Sequence, residues 1–409
     1  MNLTSLDLNS TKRTEVNSIL IMVFLFAPSL TLPLKIFMNN GVSVWFLTAS
    51  LICFSLLNNK TINRNFVLLF FVANILFLLN ILFVAYQDIV IDIYIEFLKF
   101  SLVALFLTIR ELDYSKLLRY WYILGIINSL IWLVFLNRVV SGNLDYMFFG
   151  VSMTYSFTAV FYNYLIKRKR LDLLLLVIYF IVITFFANRG ALIACIAVIS
   201  IFTFHRSKRK FFYIINSIFI TILFLIIDLK NIAIKIISLL NTLLINHNIY
   251  SYSINKFSLA LVNGIASSSS GRDVLYSQAQ DIIKDGFIPR GIGYFQYKTS
   301  EIYPHNFFLD LFIVFGFLGL GILGLLILMF IKFYSKEMDS KKRDVVTLFL
   351  IMVFFRLMFS STFIYDTSFW ILIGLLINRE SRFGTRGDKI KSEQASNPKF
   401  ALSQNIIPE

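Results

Sequence analysis

From residue 17 onward the chain alternates long apolar runs with short polar connections, and the runs set the architecture. Nine of them fall at 17–37, 42–57, 65–86, 89–109, 117–136, 147–166, 171–187, 190–204 and 211–229. A bilayer core about 30 Å thick is crossed by about 20 helical residues, so each run predicts a membrane-spanning helix. A polar interval over 230–303 follows, and three more runs at 304–331, 345–363 and 366–378 bring the predicted spans to twelve. The expected fold class is therefore an all-α polytopic membrane protein. Residues 1–378 form a single transmembrane domain, with a large loop, 230–303, between spans nine and ten. The stretch 379–409 is polar and basic, contains Pro398 and Pro408, and is expected to be a disordered tail.

Composition sharpens the class. Hydrophobic residues make up 58% of the chain and charged residues only 15%, with a mean hydropathy of +0.76; a soluble domain of this length does not reach these values. The net charge of +15 would fit a nucleic-acid-binding protein only if the basic residues shared one face of a soluble domain. Here they sit in short clusters between apolar runs, where they orient helices in a bilayer, and nucleic acid is excluded as a partner. Cys53 and Cys195 both lie within apolar runs, which offers neither a disulfide framework nor a metal site.

The clusters also assign sides. Lys12, Arg13, Lys60, Arg64, Arg110, Lys116, Arg119, residues 167–170, Arg206, residues 208–210, Lys332, Lys336 and residues 341–343 fall on the side of the termini. The short loops opposite carry only Lys35, Arg138 and Arg189. By the positive-inside rule both termini are cytoplasmic and the 230–303 loop is extracytoplasmic. The first run follows Lys12 and Arg13 with no small-x-small cleavage site after it, the pattern of an uncleaved signal anchor.

Within the long loop, 231–262 mixes isoleucine and leucine with Lys235, Asn241, Asn246, His247 and Lys256, a composition suited to helices lying in the interface. Serines 267–270 form a polar linker that can cap a helix starting near Gly271, with Gly286 ending it.

Candidate chemistry gathers where this loop meets the tenth run. Pro304 predicts a helix start, which puts His305 and Asn306 in the first turn of span ten. The positive end of that helix would keep the imidazole neutral and able to accept a proton. The plain alternative is an interfacial histidine that only hydrogen-bonds a loop. Arg272, at a predicted helix start, and Arg189, at the turn between spans seven and eight, are guanidinium donors suited to a pyrophosphate; the alternative for each is an arginine snorkelling to lipid phosphate. Arg290, before Gly291, is a third cation of the same kind, and Tyr303 and Asn306 flank the histidine as further substrate-binding candidates.

Inside the spans, Asp92, Glu96 and Lys99 share one helical face of span four, and Arg356 lies near the middle of span eleven. Pairing of Glu96 with Arg356 or Lys99 is expected, the alternative being a charged substrate path. Gly316, Gly319, Gly321 and Gly324 in span ten are expected to permit close helix packing. No Walker loop, HExxH or Asp-x-Asp occurs, which disfavours ATP-driven transport and metal-assisted glycosyl transfer.

Four segments carry a family resemblance: NRGA at 188–191, SGRDVLYSQA at 270–279, PRGIGYF at 289–295 and YPHNFFLDLFIVFGFLGL at 303–320. In these segments, and in having about twelve spans with a large loop before the tenth, the chain resembles the bacterial O-antigen polymerase and O-antigen ligase superfamily. Two departures are Asn188, where serine is common, and Tyr276, where tryptophan is common. The resemblance implies a metal-independent, cofactor-free glycosyltransferase of GT-C type in the bacterial inner membrane. It implies undecaprenyl-diphosphate-linked oligosaccharide as donor, Arg189 and Arg272 on the pyrophosphate, and His305 as the base that activates the acceptor. A polymerase joining repeat units on the periplasmic face is the first expectation, with a chain-length regulator and a flippase as partners. The alternatives are a ligase that transfers glycan to lipid A core and, from another class, a lipid-linked oligosaccharide flippase.

Overall fold

The computed structural model describes residues 3–38, 42–59, 62–187, 189–207, 229–246, 254, 258, 271–337 and 339–378. Every regular element among them is helical. The first half comprises α1 (Leu3–Leu30), α2 (Leu32–Met38), α3 (Val42–Asn58), α4 (Arg64–Phe83), α5 (Gln87–Glu96), α6 (Val103–Thr108), α7 (Tyr114–Val134), α8 (Leu136–Val140) and α9 (Tyr146–Lys167). Then come α10 (Arg170–Phe186), α11 (Arg189–Ala197), α12 (Thr203–Arg206), α13 (Leu229–Asn246), α14 (Arg272–Lys284) and α15 (Tyr294–Thr299). The last are α16 (Phe307–Phe315), α17 (Leu318–Lys336), α18 (Ser340–Phe359) and α19 (Thr367–Ile377). Single π-helical stretches, Phe97–Leu102 and Val198–Phe202, join α5 to α6 and α11 to α12.

Among the described residues five helical stretches are long and apolar enough to cross a membrane: Thr11–Phe37, Arg64–Phe83, Tyr114–Val134, Arg189–Arg206 and Leu318–Lys336. The predicted ninth span at 211–229 lies almost wholly outside the described residues, as do the 267–270 linker, most of 247–262 and the 379–409 tail.

The polar residues between runs act mainly as helix starts. Asn63, Asp113, Asp145, Asp339 and Asp366 cap α4, α7, α9, α18 and α19 through their side-chain oxygens, and each cap satisfies amide groups that have no partner within the helix. The centre is built on α9, which is buried along most of its length. Against it pack α7, α10 and α11, with α1 on α7, α18 on α11, and α19 on α6 and α18. Close approach comes from small residues: a Cβ on Gly125 of α7 would stand 3.3 Å from the Ala159 Cβ of α9. Polar side chains then tie the helices. Trp132 Nε1 donates to Ser152 Oγ at 2.9 Å, Ser152 Oγ donates to Asn128 Oδ1 at 2.8 Å, and Asn128 Nδ2 donates to Ser156 Oγ at 2.7 Å. By contrast α4 exposes Leu68, Phe71, Ile75, Leu79 and Phe83, the surface expected towards lipid.

Span ten departs from its prediction. The run expected as one helix is broken at Gly316, whose φ is +55°, and α16 and α17 lie on either side of the break. The broken end is satisfied from the loop before it, since Arg290 N donates to Ile313 O at 3.1 Å and Gly291 N to Val314 O at 3.2 Å. Phe317 N in turn donates to Phe287 O at 3.1 Å. A non-helical turn among apolar helices is stable only when such partners are at hand. A Cβ on Gly316 would lie 2.3 Å from Phe287 O and one on Gly319 3.0 Å from Leu311 O, whereas Gly321 and Gly324 meet nothing within 4 Å. Close helix packing thus holds for Gly319, against α16, whereas Gly316 meets the 287–289 loop and the last two glycines meet nothing.

Candidate active site

His305 and Asn306 do not occupy the first helical turn. Asn306 is the cap of α16, its Oδ1 accepting from Phe308 N at 3.0 Å and Leu309 N at 3.2 Å, and Pro304 and His305 precede it. His305 has φ of +53°, a region sparsely used by side chains with a Cβ. An asparagine caps better than a proline starts, so the helix begins three residues later than Pro304 predicts.

The histidine belongs instead to a cluster around the C-terminal end of α18. Arg272 opens α14 and its Nη2 donates to Phe359 O at 3.0 Å, while His305 Nδ1 meets the same oxygen at 3.2 Å. Tyr303 OH donates to Ser360 O at 2.8 Å, and its ring meets the imidazole edge to face at 4.5 Å. Tyr276 OH closes the ring of contacts on His305 O at 3.3 Å. The last carbonyls of a helix have no intrahelical partner; here they organise two residues brought from 33 positions apart in the chain.

This geometry fixes the imidazole. A carbonyl oxygen only accepts, so Nδ1 carries the hydrogen, and in the neutral ring Nε2 then holds the free lone pair. Burial lowers the His305 pKa from its ordinary value, and the charge of Arg272 lowers it further, against an opposing contribution from the Phe359 carbonyl. Both leading causes favour the neutral ring that a general base requires. Burial pushes the Tyr303 hydroxyl up to about 12, so it stays protonated and donating. Arg272 spends one of five N–H donors on Phe359, and its remaining donors suit an anionic oxygen.

Arg189 opens α11, and its neighbour Gly190 brings that helix start against the same end of α18: a Cβ on Gly190 would stand 3.0 Å from the Phe359 Cβ. Asn188 lies outside the described residues. Arg290 is elsewhere. Its carbonyl accepts from Tyr86 OH at 2.8 Å and its guanidinium lies 5.7 Å from the Tyr294 ring centroid, among contacts that none of the Phe359 cluster shares.

Of the two pairings expected for Glu96, the one with Lys99 forms and the one with Arg356 does not. Arg356 Nε is 2.6 Å from Asp366 Oδ2, its Nη1 donates to Tyr155 OH at 2.6 Å, and Asp366 is fully buried. Glu96 pairs with Lys99 at 2.6 Å, and Asp92, on the same predicted face, is exposed and makes no ion pair among the described residues. Asp366 also accepts from Phe369 N at 3.0 Å at the start of α19. The ion pair therefore bolts the end of α18 to the start of α19 and holds the turn whose carbonyls carry His305, Arg272 and Tyr303. A water-sized cavity of about 20 Å³ beside it is lined by Thr154, Tyr155, Gly190, Arg356 and Ser360 among others.

Sequence reasoning missed Asp366, Tyr155 and the two carbonyls. Asp366 offered a signal, being an acidic residue at the first position of an apolar run; a carbonyl acceptor leaves none. Among the described residues no group of three His, Cys, Asp or Glu could hold a metal ion. No family model matches this chain, and neither does any curated protein or solved structure.

Proposed function

We propose that this protein is a bacterial inner-membrane glycosyltransferase that polymerises O-antigen or a related surface polysaccharide. It would move a growing glycan from undecaprenyl diphosphate onto a newly delivered lipid-linked repeat unit. The reading takes about twelve spans, cytoplasmic termini and a periplasmic 230–303 loop. One observation carries it: Arg272 and His305 converge on a single carbonyl, which sets an anion-binding guanidinium beside an imidazole with its Nε2 lone pair free.

The chemistry balances with these groups. Nε2 of His305 takes the proton of the acceptor hydroxyl as its oxygen bonds to the anomeric carbon. The bond from that carbon to the pyrophosphate oxygen breaks, and the electron pair leaves with the pyrophosphate. Arg272 and Arg189 stabilise that departing charge, and attack opposite the leaving group inverts the anomeric centre.

The test is complementation of a strain lacking its cognate polymerase, with lipopolysaccharide length read on a gel and expression of every variant confirmed. Wild type restores a ladder, and His305→Ala and Arg272→Ala leave core bearing a single repeat. Loss of the single repeat from core together with accumulation of lipid-linked polymer would overturn the reading in favour of a ligase.

A further inference from the structure

Arg290 belongs to an aromatic platform on the loop face. Tyr86, at the α4–α5 corner, stacks on Tyr297 with centroids 4.9 Å apart and planes 22° from parallel, and meets Tyr294 edge to face at 6.0 Å. Two cations flank the tyrosines: Arg290 lies 5.7 Å from the Tyr294 centroid, and Lys298 lies 5.9 Å from Tyr294 and 5.7 Å from Tyr297. Tyr297 is 49% exposed although its ring rests on buried Tyr86. Among the described residues neither Lys298 nor Arg290 has a carboxylate within ion-pair distance, and the Tyr294 and Tyr297 hydroxyls make no hydrogen bond.

The platform is also rigid. Ile292 N donates to Asn80 Oδ1 at 2.9 Å and Tyr86 OH donates to Arg290 O, which clamps the 290–293 turn onto the corner. Gly291 and Gly293 have φ of +91° and +82°, and Cβ atoms there would lie 2.4 Å from Asn80 Oδ1 and 2.9 Å from Ile89 Cγ2. Only glycine permits so close a seat.

We infer that this platform binds an acidic sugar of the glycan, a pyranose bearing a carboxylate, with its axial C–H face on Tyr297 and its carboxylate towards Lys298 and Arg290. An aromatic ring attracts the weakly positive C–H groups of a pyranose face, the unengaged hydroxyls can pair with sugar hydroxyls, and two cations without a counter-charge select an anion. That the ligand is a glycan rests on the proposed function; the platform geometry does not.

The experiment uses the full chain in lipid nanodiscs and saturation-transfer NMR, with a glucuronic-acid oligosaccharide as probe and a neutral glucose oligosaccharide as comparison. The acidic probe binds and the neutral one binds more weakly. Tyr297→Ala lowers affinity for the acidic probe about tenfold, Tyr297→Phe, which keeps the ring face and loses one hydroxyl, lowers it by about threefold, and Lys298→Gln reduces the preference for the acidic probe. Tyr297→Ala keeps the wild-type thermal transition, because its side chain is half exposed on a short helix. Equal binding of the two probes, binding of neither, or wild-type affinity in Tyr297→Ala overturns the inference. Binding is read without transfer. A protein that binds but restores no ladder overturns the proposed function alone, and one that restores a ladder without the preference overturns the platform alone.

Discussion

Asp366→Asn tests whether the ion pair at the end of α18 holds the site. The substitution keeps size and keeps Oδ1 as acceptor for Phe369 N, so the cap of α19, a contribution of about 1 kcal/mol, survives. What it removes is the charge 2.6 Å from Arg356 Nε. Removing one partner of a buried pair costs about 3–5 kcal/mol. The Arg356 side chain retains 22% exposure and its bond to Tyr155, which puts the cost at the lower end, about 3 kcal/mol. That is about 150-fold in the folding equilibrium. Asp366→Ala, which also loses the cap, costs about 1 kcal/mol more. The assay is a double-mutant cycle in mixed detergent micelles: SDS unfolding followed by tryptophan fluorescence for Arg356→Gln, Asp366→Asn and the pair. The double variant should recover about 2 kcal/mol relative to the sum of the singles. Additivity within about 0.5 kcal/mol would refute the pairing as the link between α18 and α19.

Other outcomes follow from the same geometry. Gly316→Ala drives a Cβ into the Phe287 carbonyl and should cost about 3 kcal/mol in the same unfolding assay, whereas Gly321→Ala, open on all sides, should stay within about 0.5 kcal/mol. Asn306→Ala should lose about 1 kcal/mol while Asn306→Asp holds stability, the signature of a cap. For His305 the folded pKa lies below the unfolded value, so the native state binds fewer protons between the two. Stability should therefore rise with pH through that window and level off on either side of it, while transfer should fall at its lower edge, where the folded-state imidazole protonates. Arg272→Ala removes one of the lowering influences and should raise the His305 pKa, as read by NMR titration of the imidazole in the full chain; an unmoved titration would separate the two residues.

Much of the candidate site was legible because it rests on side-chain chemistry that sequence displays: Arg272 at a helix start, His305 at the junction of loop and span, and Arg189 at a helix start. What the residues alone could not supply was their partition. Arg290 reads like Arg272 in sequence, a cation beside a glycine, yet it packs with Tyr86 and Tyr294 while Arg272 reaches Phe359. Phe359, 87 residues from Arg272, and Tyr86, 204 residues from Arg290, set that difference, and no local pattern encodes them. The Glu96–Arg356 alternative failed for the opposite reason, because each residue had a nearer partner, Glu96 taking the Lys99 that was its other expected partner. Glu96 found Lys99 three residues on, across the start of a π-helical stretch, and Arg356 found Asp366 across the turn between α18 and α19.

The sequence by itself determined the membrane class and the helical content, because a backbone among lipid must satisfy its own hydrogen bonds and apolar runs of spanning length leave helices as the simple solution. It also determined where most helices start, since a capping side chain acts on amides only two or three residues away. Tertiary structure decided the break at Gly316 and the tautomer of His305. Both depend on carbonyls and amides contributed by distant segments, the 287–291 loop for the break and the end of α18 for the imidazole, and backbone groups of that kind carry no residue-specific mark in the chain.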